Sequence, residues 1–280
     1  DLNGWERPVD FDIPCAHAEA QVVQSLAKWK RWALRHYEIR PGQGLYTDMD
    51  AIRRDEELDN LHSVYVDQWD WEKAISPDER SIPFLQDTVR RIAAAVRYTQ
   101  DTLFSMFPAL AGCEKLPEDV YFIDSQALLD RYPDKSPKER ENAVAREHKC
   151  VFITGIGKKL SDGRPHDGRA PDYDDWDLNG DLLYWNELLG CAFELSSMGI
   201  RVSPESLDRQ LTLAGADERR GLAYHRMLLG GELPLSIGGG IGQSRLSMLL
   251  LQKAHIGEVQ VSVWDEQTRG ECARAGVLLL

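Results

Sequence analysis

The chain has 280 residues, 42% of them hydrophobic and 28% charged, the composition of a globular protein with room for one large domain or two small ones. A net charge of −13 argues against a general nucleic-acid binder, because such proteins neutralise phosphates with Lys and Arg. The five cysteines include no Cys-x-x-Cys pair, which favours free thiols in a reducing compartment. No apolar run reaches the roughly 20 residues of a membrane span, and no signal peptide is recognisable, so we predict a cytoplasmic protein without a membrane partner.

The N-terminal part of the chain is predicted to be a loop followed by a helix. Turn-forming residues predict the loop over 1–15, and apolar residues spaced three and four apart predict the helix over 18–37. The helix carries a basic cluster of four residues: Lys28, Lys30, Arg31 and Arg35. In an acidic chain such a cluster is either a solvated helix face or a site that attracts phosphates and carboxylates. The sequence leaves both interpretations open.

Two strands follow, over residues 44–53 and 61–71. They are joined by a charged hairpin loop over 53–60, most of whose charges we expect to be in solvent. Because side chains alternate along a strand, Gln68 and Asp70 share one face of the second strand. Buried polar groups need partners, and a ligand is one way to satisfy these two.

The middle and the C-terminal part of the chain alternate helices and strands that extend one sheet. A capping box at Ser136 with a proline at the first helical position predicts a helix to about residue 147. Ser203 and the proline after it start another helix in the same way. The remaining predicted elements are helices over 85–103, 216–229 and 242–252, and strands over 120–123, 150–154, 181–186, 191–201, 236–242 and 259–263.

Residues 155–186 combine glycine, proline and ionisable side chains with little apolar content. They form either a flexible surface loop or a ligand-binding loop held on a scaffold. The carboxylates and aromatic rings of residues 171–176 suit recognition of an amino group. Asp181 and Glu194 fall on successive predicted strands and can face a common site. Two carboxylates with phosphate oxygens are a donor set that Mg²⁺ uses, but the pair alone does not establish such a site.

The glycine-rich stretch over 236–245 is the most distinctive motif. Glycine lets a flat ligand approach the backbone closely, and Arg245 falls where the next helix begins, so its guanidinium could lie over a nucleotide. The stretch lacks the Gly-Lys-Ser/Thr of a P-loop and the spacing and position of a Rossmann fingerprint. By itself it is either a nucleotide site or a turn before a buried helix.

Five blocks of the chain together resemble ammonia-dependent asparagine synthetase, the aspartate–ammonia ligase family: residues 25–30, 61–71, 169–176, 193–201 and 237–245. The resemblance runs over nearly the whole chain, and that family is similar to the catalytic domain of class II aminoacyl-tRNA synthetases, especially the aspartyl and asparaginyl enzymes. It implies an α+β fold, with an antiparallel β-sheet flanked by helices in one domain over 1–280. It also implies a homodimer that uses ATP and Mg²⁺.

The reaction that the resemblance implies has two steps. The side-chain carboxylate of aspartate attacks the α-phosphate of ATP, giving β-aspartyl adenylate and pyrophosphate. Ammonia then displaces AMP and gives asparagine. Two anions meet in the first step, so cationic side chains and a metal are needed to offset their repulsion.

Residues at matching positions acquire roles from the same resemblance. Arg53 and Arg245 correspond to the arginines of the second and third class II motifs. The implied catalytic residues are Lys30, Arg53, Gln68, Asp70 and Arg245; the implied aspartate-binding residues are Lys30, Gln68, Arg169, Asp174 and Ser197. The implied ATP-binding residues are Arg53, Asp181, Glu194, Arg201, Gly240, Gly242 and Arg245, and Asp181 with Glu194 is the implied metal site. Physically, Arg169 can fork onto a carboxylate and Asp174 can hold an α-ammonium group.

The chain departs from the family pattern in two places. The family's N-terminal segment, which carries a dimer-forming helix and strand and an aspartate, is absent, so we expect upstream residues to be missing and assign no role to Asp1. The join over 175–179 also looks shorter than in the family. Either the loop is trimmed in this protein, or part of a mobile loop is missing. A true deletion would affect exclusion of water from the adenylate.

Three other functions compete with this interpretation. A class II synthetase-like paralogue that charges tRNA is disfavoured by the acidic charge and by the lack of an appended nucleic-acid-binding domain. Glutamine-dependent amidation needs a nucleophilic cysteine in a glutaminase domain, for which the chain has no room. A non-catalytic regulator that binds adenylate is disfavoured because the chain retains four residues together: Arg53, Asp181, Glu194 and Arg245.

Overall fold

The computed structural model describes residues 6–280, and its main feature is a seven-stranded sheet flanked by helices. The strands are β1 (Asp10–Ile13), β2 (Ala18–Gln21), β3 (Gly44–Ile52), β4 (Tyr65–Ala74), β5 (Tyr121–Asp124), β6 (Cys150–Thr154), β7 (Asp174–Asn186), β8 (Cys191–Arg201) and β9 (Ser236–Gly242). The helices are α1 (Ala27–His36), α2 (Ile82–Met106), α3 (Ser125–Arg131), α4 (Pro137–His148), α5 (Pro204–Ala214), α6 (Ala223–Leu229), α7 (Gln243–Leu250) and α8 (Glu266–Ala275).

The strands of the main sheet lie in the order β3-β4-β9-β8-β7-β6-β5, and β1 and β2 form a separate antiparallel pair. β6, β7 and β8 pair antiparallel, as the α+β fold class requires. The edge strand β5 is parallel to β6, because α3 and α4 form the crossover that a parallel pair needs. The sheet is therefore mixed at this edge and antiparallel at the β6–β8 pairings beside it.

The chain divides into two compact units. The first unit comprises the described part of Asp1–Leu26 together with Tyr46–Asp70 and Ile241–Leu280. The second unit comprises Ala27–Leu45 and Trp71–Gly240. A single domain over 1–280 remains a prediction.

The second unit holds two apolar cores. In one, α3 and α4 cover one face of β5–β8 with buried residues that include Leu128, Val144, Ile153 and Leu183. Ser136 starts α4 with the predicted capping box: its side chain accepts from the backbone of Glu139, whose carboxylate accepts in return. The other core packs α5 against α6 through Val202, Leu207, Leu211 and Leu228.

The N-terminal prediction was wrong in two places. The helix predicted over 18–37 begins only at Ala27, and residues 18–21 instead form β2, paired with β1. The predicted loop over 1–15 falls partly outside the described residues, and within it residues 10–13 form a strand. His17 has a φ of 49°, the left-handed conformation that turns the chain back between the two strands. The pairing of β1 with β2 therefore prevails at residues 18–21 over the helical spacing of the apolar residues.

Two later predictions were also wrong. β7 begins at Asp174, seven residues before the predicted strand, so the join over 175–179 lies inside a strand. No strand forms over 259–263; instead α8 follows, and its start is capped by Asp265, whose side chain accepts from the backbone N–H of Thr268. That cap was visible in the sequence as a helix start.

Candidate active site

Five side chains of the second unit form a line of alternating charge: Glu72, Arg201, Asp174, Arg169 and Asp181. The Arg201 guanidinium donates to both oxygens of Glu72, at 2.8–3.1 Å, and to Asp174. Arg169 donates to Asp181, and its Nε lies 3.8 Å from Oδ2 of Asp174. No side chain in the line is more than 12% exposed. Each buried carboxylate therefore has a guanidinium beside it, which offsets the cost of burying the charge.

Two members of the line, Glu72 and Arg169, keep their charged forms despite burial. Burial opposes the charge of Glu72, but Arg201 more than compensates and holds the pKa of that carboxyl below its usual range. Burial likewise opposes the charge of Arg169, while Asp181 raises the pKa of that guanidinium well above its usual value. At neutral pH Glu72 and Arg169 therefore carry fixed charges.

The pairing of β7 with β8 sets the spacing of the site. Asp174 lies opposite Arg201, and Asp181 lies opposite Ser197. The Ser197 hydroxyl donates to Oδ1 of Asp181 at 2.6 Å and accepts from Arg169. Cross-strand partners point to the same face of a sheet, so these side chains share one face.

A one-residue register shift brings Glu194 to that same face. The pairing changes between Leu182 and Leu183, so that Leu183 lies opposite Glu194. Asp181 and Leu183 are two residues apart and share a face, and Glu194 takes the face of its partner Leu183. The shift thus aligns Glu194 with Ser197, which strict alternation would have placed on opposite faces. The predicted placement of Asp181 and Glu194 on neighbouring strands is confirmed.

The first two glycines of the glycine-rich strand are explained by their protein neighbours. A Cβ at Gly238 would lie 2.0 Å from Oε2 of Glu72 and 2.6 Å from Nη2 of Arg201. A Cβ at Gly239 would lie 2.6 Å from Cβ of Met198. At these two positions neighbouring protein atoms occupy the space that a side chain would take. Close ligand approach at Gly240 and Gly242 remains a prediction.

The four cations of the basic cluster on α1 each have partners within the second unit, and an anion site at Lys30 remains a prediction. Lys30 is buried and donates to the carbonyl oxygens of Trp71 and Gly239, each at 3.2 Å. Arg31 is equally buried and donates to the carbonyl oxygen of Val202 at 2.6 Å. The other two cations pair with acidic side chains: Lys28 with Asp172 and Arg35 with Glu232. The cluster ties α1 to the rest of the second unit.

Four of the predicted catalytic residues lie in the first unit. Gln68 and Asp70 are on β4, and Asp70 is buried. Arg53 follows β3, 4.0 Å from Glu56, and its buried Nε has no hydrogen-bond partner among residues 6–280. Arg245 lies in the first turn of α7. The remaining predicted residues lie in the second unit, apart from Gly242, which precedes α7 in the first.

The start of α7 is held by a carboxylate from β4. Asp67 accepts from the backbone N–H of Ser244 at 3.1 Å and from its hydroxyl at 2.6 Å. The hydroxyl in turn accepts from Gln260 at 3.0 Å. Asp67 thus does the work of an N-cap, which Gly242 cannot do without a side chain. Arg245 comes directly after this anchored residue.

Sequence reasoning missed Glu72 and Ser236, which hold Arg201. Ser236 donates from its hydroxyl to Oε1 of Glu72 at 2.7 Å. The sequence did contain a signal for Glu72, because this residue follows Gln68 and Asp70 at two-residue spacing on the same strand. The predicted strand ended at residue 71, so Glu72 was not placed on the face of Gln68 and Asp70.

Asp172 lies in the loop between Arg169 and Asp174 and is fully buried. Its Oδ2 is 3.0 Å from Lys28 Nζ, 2.9 Å from Arg219 Nη1 and 3.0 Å from His225 Nε2. Burial alone would raise the pKa of Asp172, but His225 and Lys28 together lower it from 3.8 to about 2. The loop is therefore anchored by an ionised carboxylate.

None of the helices described over residues 6–280 is long and apolar enough to cross a membrane. The same residues contain no group of three or more His, Cys, Asp or Glu side chains that could hold a metal ion by themselves.

Comparison with solved structures defines the fold. The asparaginyl-tRNA synthetase of Entamoeba histolytica, in complex with asparaginyl-adenylate, superposes with a TM-score of 0.64 at 15% identity, over 90% of this chain and 58% of that chain. The Pyrococcus horikoshii enzyme with the same adenylate gives 0.64 at 14% identity, over 91% and 58%. This chain thus spans a little over half of those synthetases and has the fold of class II aminoacyl-tRNA synthetases.

Closer relatives define the family. The family model for aspartate-ammonia ligase matches residues 1–276. An aspartate–ammonia ligase of Clostridium perfringens is 57% identical over 281 residues, covering 100% of this chain and 83% of that protein. One from Bacillus cytotoxicus is 55% identical over 278 residues, covering 99% and 84%. The chain belongs to the aspartate–ammonia ligase family.

Gly238→Ala should destabilise the second unit, because the added Cβ would collide with the Glu72–Arg201 pair. We expect a loss of about 2 kcal/mol or more in the free energy of unfolding, measured by urea denaturation. Gly112→Ala is the matched control: nothing lies within 4 Å of its added Cβ, so we expect a change within about 0.5 kcal/mol. Equal stabilities for the two variants would contradict the packing argument.

Asp172 should make stability depend on pH in the acid range. Its pKa is lowered on folding, so its stabilisation is present above pH 3.8 and is lost as the pH falls towards 2. Between pH 5 and pH 3 the wild type should lose about 1 kcal/mol more of its free energy of unfolding than Asp172→Asn. Urea denaturation at both pH values measures this. A wild-type advantage that is the same at pH 5 and pH 3 would contradict the assignment.

Proposed function

We propose that the chain converts L-aspartate and ammonia to L-asparagine with ATP, through β-aspartyl adenylate, and releases AMP and pyrophosphate. The observation that carries the proposal is membership of the aspartate–ammonia ligase family over residues 1–276. The charged line in the second unit supplies side chains suited to a zwitterionic substrate that carries two carboxylates.

Aspartate recognition is assigned to Arg169 and Asp174. Arg169 has a fork of donors for a carboxylate, and its Nε is buried without a hydrogen-bond partner among the described residues. An unsatisfied buried donor costs free energy, which a bound carboxylate would recover. Asp174 offers an ionic partner to the α-ammonium. Three further side chains are proposed to contact the substrate: Lys30, Gln68 and Ser197.

ATP is assigned to three arginines. Arg53, Arg201 and Arg245 are proposed to neutralise phosphates or stack on the adenine, as a planar guanidinium can do both. Gly240 and Gly242 are proposed to let the nucleotide approach the main chain. Asp67 would fix the orientation of Arg245 by holding the start of α7.

The two carboxylates Asp181 and Glu194 fit a magnesium ion that arrives with ATP. They share a face of the sheet, and the hydrogen bonds from Ser197 and Arg169 both end on Oδ1 of Asp181, which leaves Oδ2 to act as a ligand. Mg²⁺ keeps several waters and takes few protein ligands, so a pair with phosphate oxygens is a suitable donor set. When bound, the ion would neutralise charge on the phosphates.

The protein's part in the reaction is positioning and charge compensation. Arg169 and Asp174 would hold aspartate so that its side-chain carboxylate lies in line with the α-phosphate, which reduces the entropic cost of the encounter. Arg53 and Arg245 would stabilise charge that develops on that phosphate. Lys30, Gln68 and Asp70 complete the proposed catalytic set. The homodimer implied by the resemblance is part of the same proposal, and the cytoplasmic location stays a prediction.

A product assay tests the proposal. The protein is incubated with aspartate, Mg·ATP and ammonium, and asparagine, AMP and pyrophosphate are quantified. Equal amounts of all three are expected. ADP and phosphate would overturn the adenylate route, and AMP formation that requires tRNA would favour a synthetase-like activity instead.

Arg169→Ala should raise the KM for aspartate by about tenfold or more, because a charge-assisted bidentate contact is lost. The KM for ATP should change much less. Arg164→Ala is the matched control, since Arg164 is an exposed arginine of the same loop, and it should behave as wild type in steady-state kinetics. An unchanged aspartate KM in Arg169→Ala would remove Arg169 from the aspartate site.

A further inference from the structure

A buried glutamine on α5 holds the loop that carries the proposed aspartate site. Gln210 is fully buried, and all three hydrogen bonds of its side-chain amide go to the backbone of residues 171–176. Its Nε2 donates to the carbonyl oxygens of Pro171 and Asp174, each at 3.0 Å. Its Oε1 accepts from the backbone N–H of Trp176 at 2.9 Å.

The backbone needs this side chain because the sheet pairing is interrupted here. Asp174 lies opposite Arg201 and Asn179 opposite Gly199, so five residue steps along β7 face two along β8. The residues between are displaced from the ladder, and their polar groups need other partners. Gln210 supplies a hydrogen-bond acceptor for the backbone N–H of Trp176. The same side chain donates to the carbonyl oxygens of Pro171 and Asp174, so it links the three residues.

A second tether acts on the same segment. Asp172 receives ionic partners from three elements outside the loop: Lys28 on α1, Arg219 in the turn before α6, and His225 on α6. The segment thus has one amide clamp and one ionic anchor, with Asp172 inside the stretch that Gln210 spans. Arg169 lies two residues before this anchored stretch, and Asp174 lies within it.

We propose that Gln210 is a positioning residue for aspartate recognition. By fixing the backbone of residues 171–176 it sets the direction in which Asp174 projects and limits how far Arg169 can move. The inference rests on the proposed function, because it presupposes that aspartate binds to Arg169 and Asp174. Gln210 would affect that binding without touching the substrate. Gln210 itself has its donors and acceptor occupied by the loop backbone and does not contact substrate.

A second buried glutamine provides the matched control. Gln100 on α2 is 1% exposed, donates to the carbonyl oxygen of Glu114 at 3.1 Å and accepts from the backbone N–H of Leu116 at 2.8 Å. It clamps a loop that carries none of the proposed site residues. Gln100→Met and Gln210→Met therefore remove the same kind of interaction from two different loops.

The experiment compares the two variants in steady-state kinetics and thermal unfolding. Both should lower the Tm, because each leaves buried backbone groups without partners. Gln210→Met should raise the KM for aspartate about tenfold while the KM for ATP stays within about twofold, and Gln100→Met should change neither KM by more than about twofold. If Gln210→Met does not fold, Asp172→Asn, which keeps the side-chain shape, should raise the aspartate KM with the ATP KM unchanged.

Amide hydrogen exchange separates this inference from the proposed function, because it needs no turnover. Gln210→Met should speed exchange over residues 169–176, and Gln100→Met should not. If the wild type makes no asparagine, the proposed function fails, whereas the tether is still tested by exchange. Wild-type exchange in Gln210→Met, or equal rises in both KM values, would overturn the positioning role.

Discussion

The candidate site depends on the two ion pairs of Arg201. Its guanidinium lies between two buried carboxylates, Glu72 and Asp174. Removing Arg201 would leave two buried carboxylates without the guanidinium that contacts both, which is strongly destabilising. The surrounding sequence is adapted to this pair. Ser236 supplies a further hydrogen bond to Glu72, and Gly238 leaves the space in which the two side chains meet.

The alternating charges stabilise one another and also fix the order in which cationic and anionic groups are offered to a substrate. Asp174 is shared between Arg201 and, at longer range, Arg169, which in turn contacts Asp181. A substrate that brings both an ammonium and carboxylates can enter such a line by exchanging ionic partners, because both its anionic and its cationic groups find an opposite charge there. Because the groups are already oriented, binding requires little reorganisation, which favours electrostatic catalysis. The tethers on the neighbouring loop serve the same end.

Local patterns predicted the elements whose signals are local. The capping box at Ser136 and the strand predicted over 191–201 each match the observed element. What the sequence could not supply was partnership between distant positions. The clamp from Gln210 to the backbone around Asp174, and the register shift that aligns Glu194 with Ser197, both arise only when strands and helices far apart in the chain are brought together.

In the glycine-rich strand, too, the partners of the residues could not be predicted from the sequence. Its glycines were predictable as positions of close approach, but not what would approach: at Gly238 it is the Glu72 carboxylate, a residue 166 positions earlier in the chain. Family resemblance supplied most of the candidate residues, whereas composition and spacing alone left both the nucleotide site and the buried turn open. The physical roles within the site came from contacts and burial.

The most direct test of the account is to follow oxygen from the aspartate side chain. Aspartate labelled with ¹⁸O in its β-carboxylate is converted with Mg·ATP and ammonium, and the nucleotide and phosphate products are analysed by mass spectrometry. If the carboxylate attacks the α-phosphate, one labelled oxygen must appear in AMP. Label in inorganic phosphate, or unlabelled AMP alongside asparagine, would contradict the adenylate route.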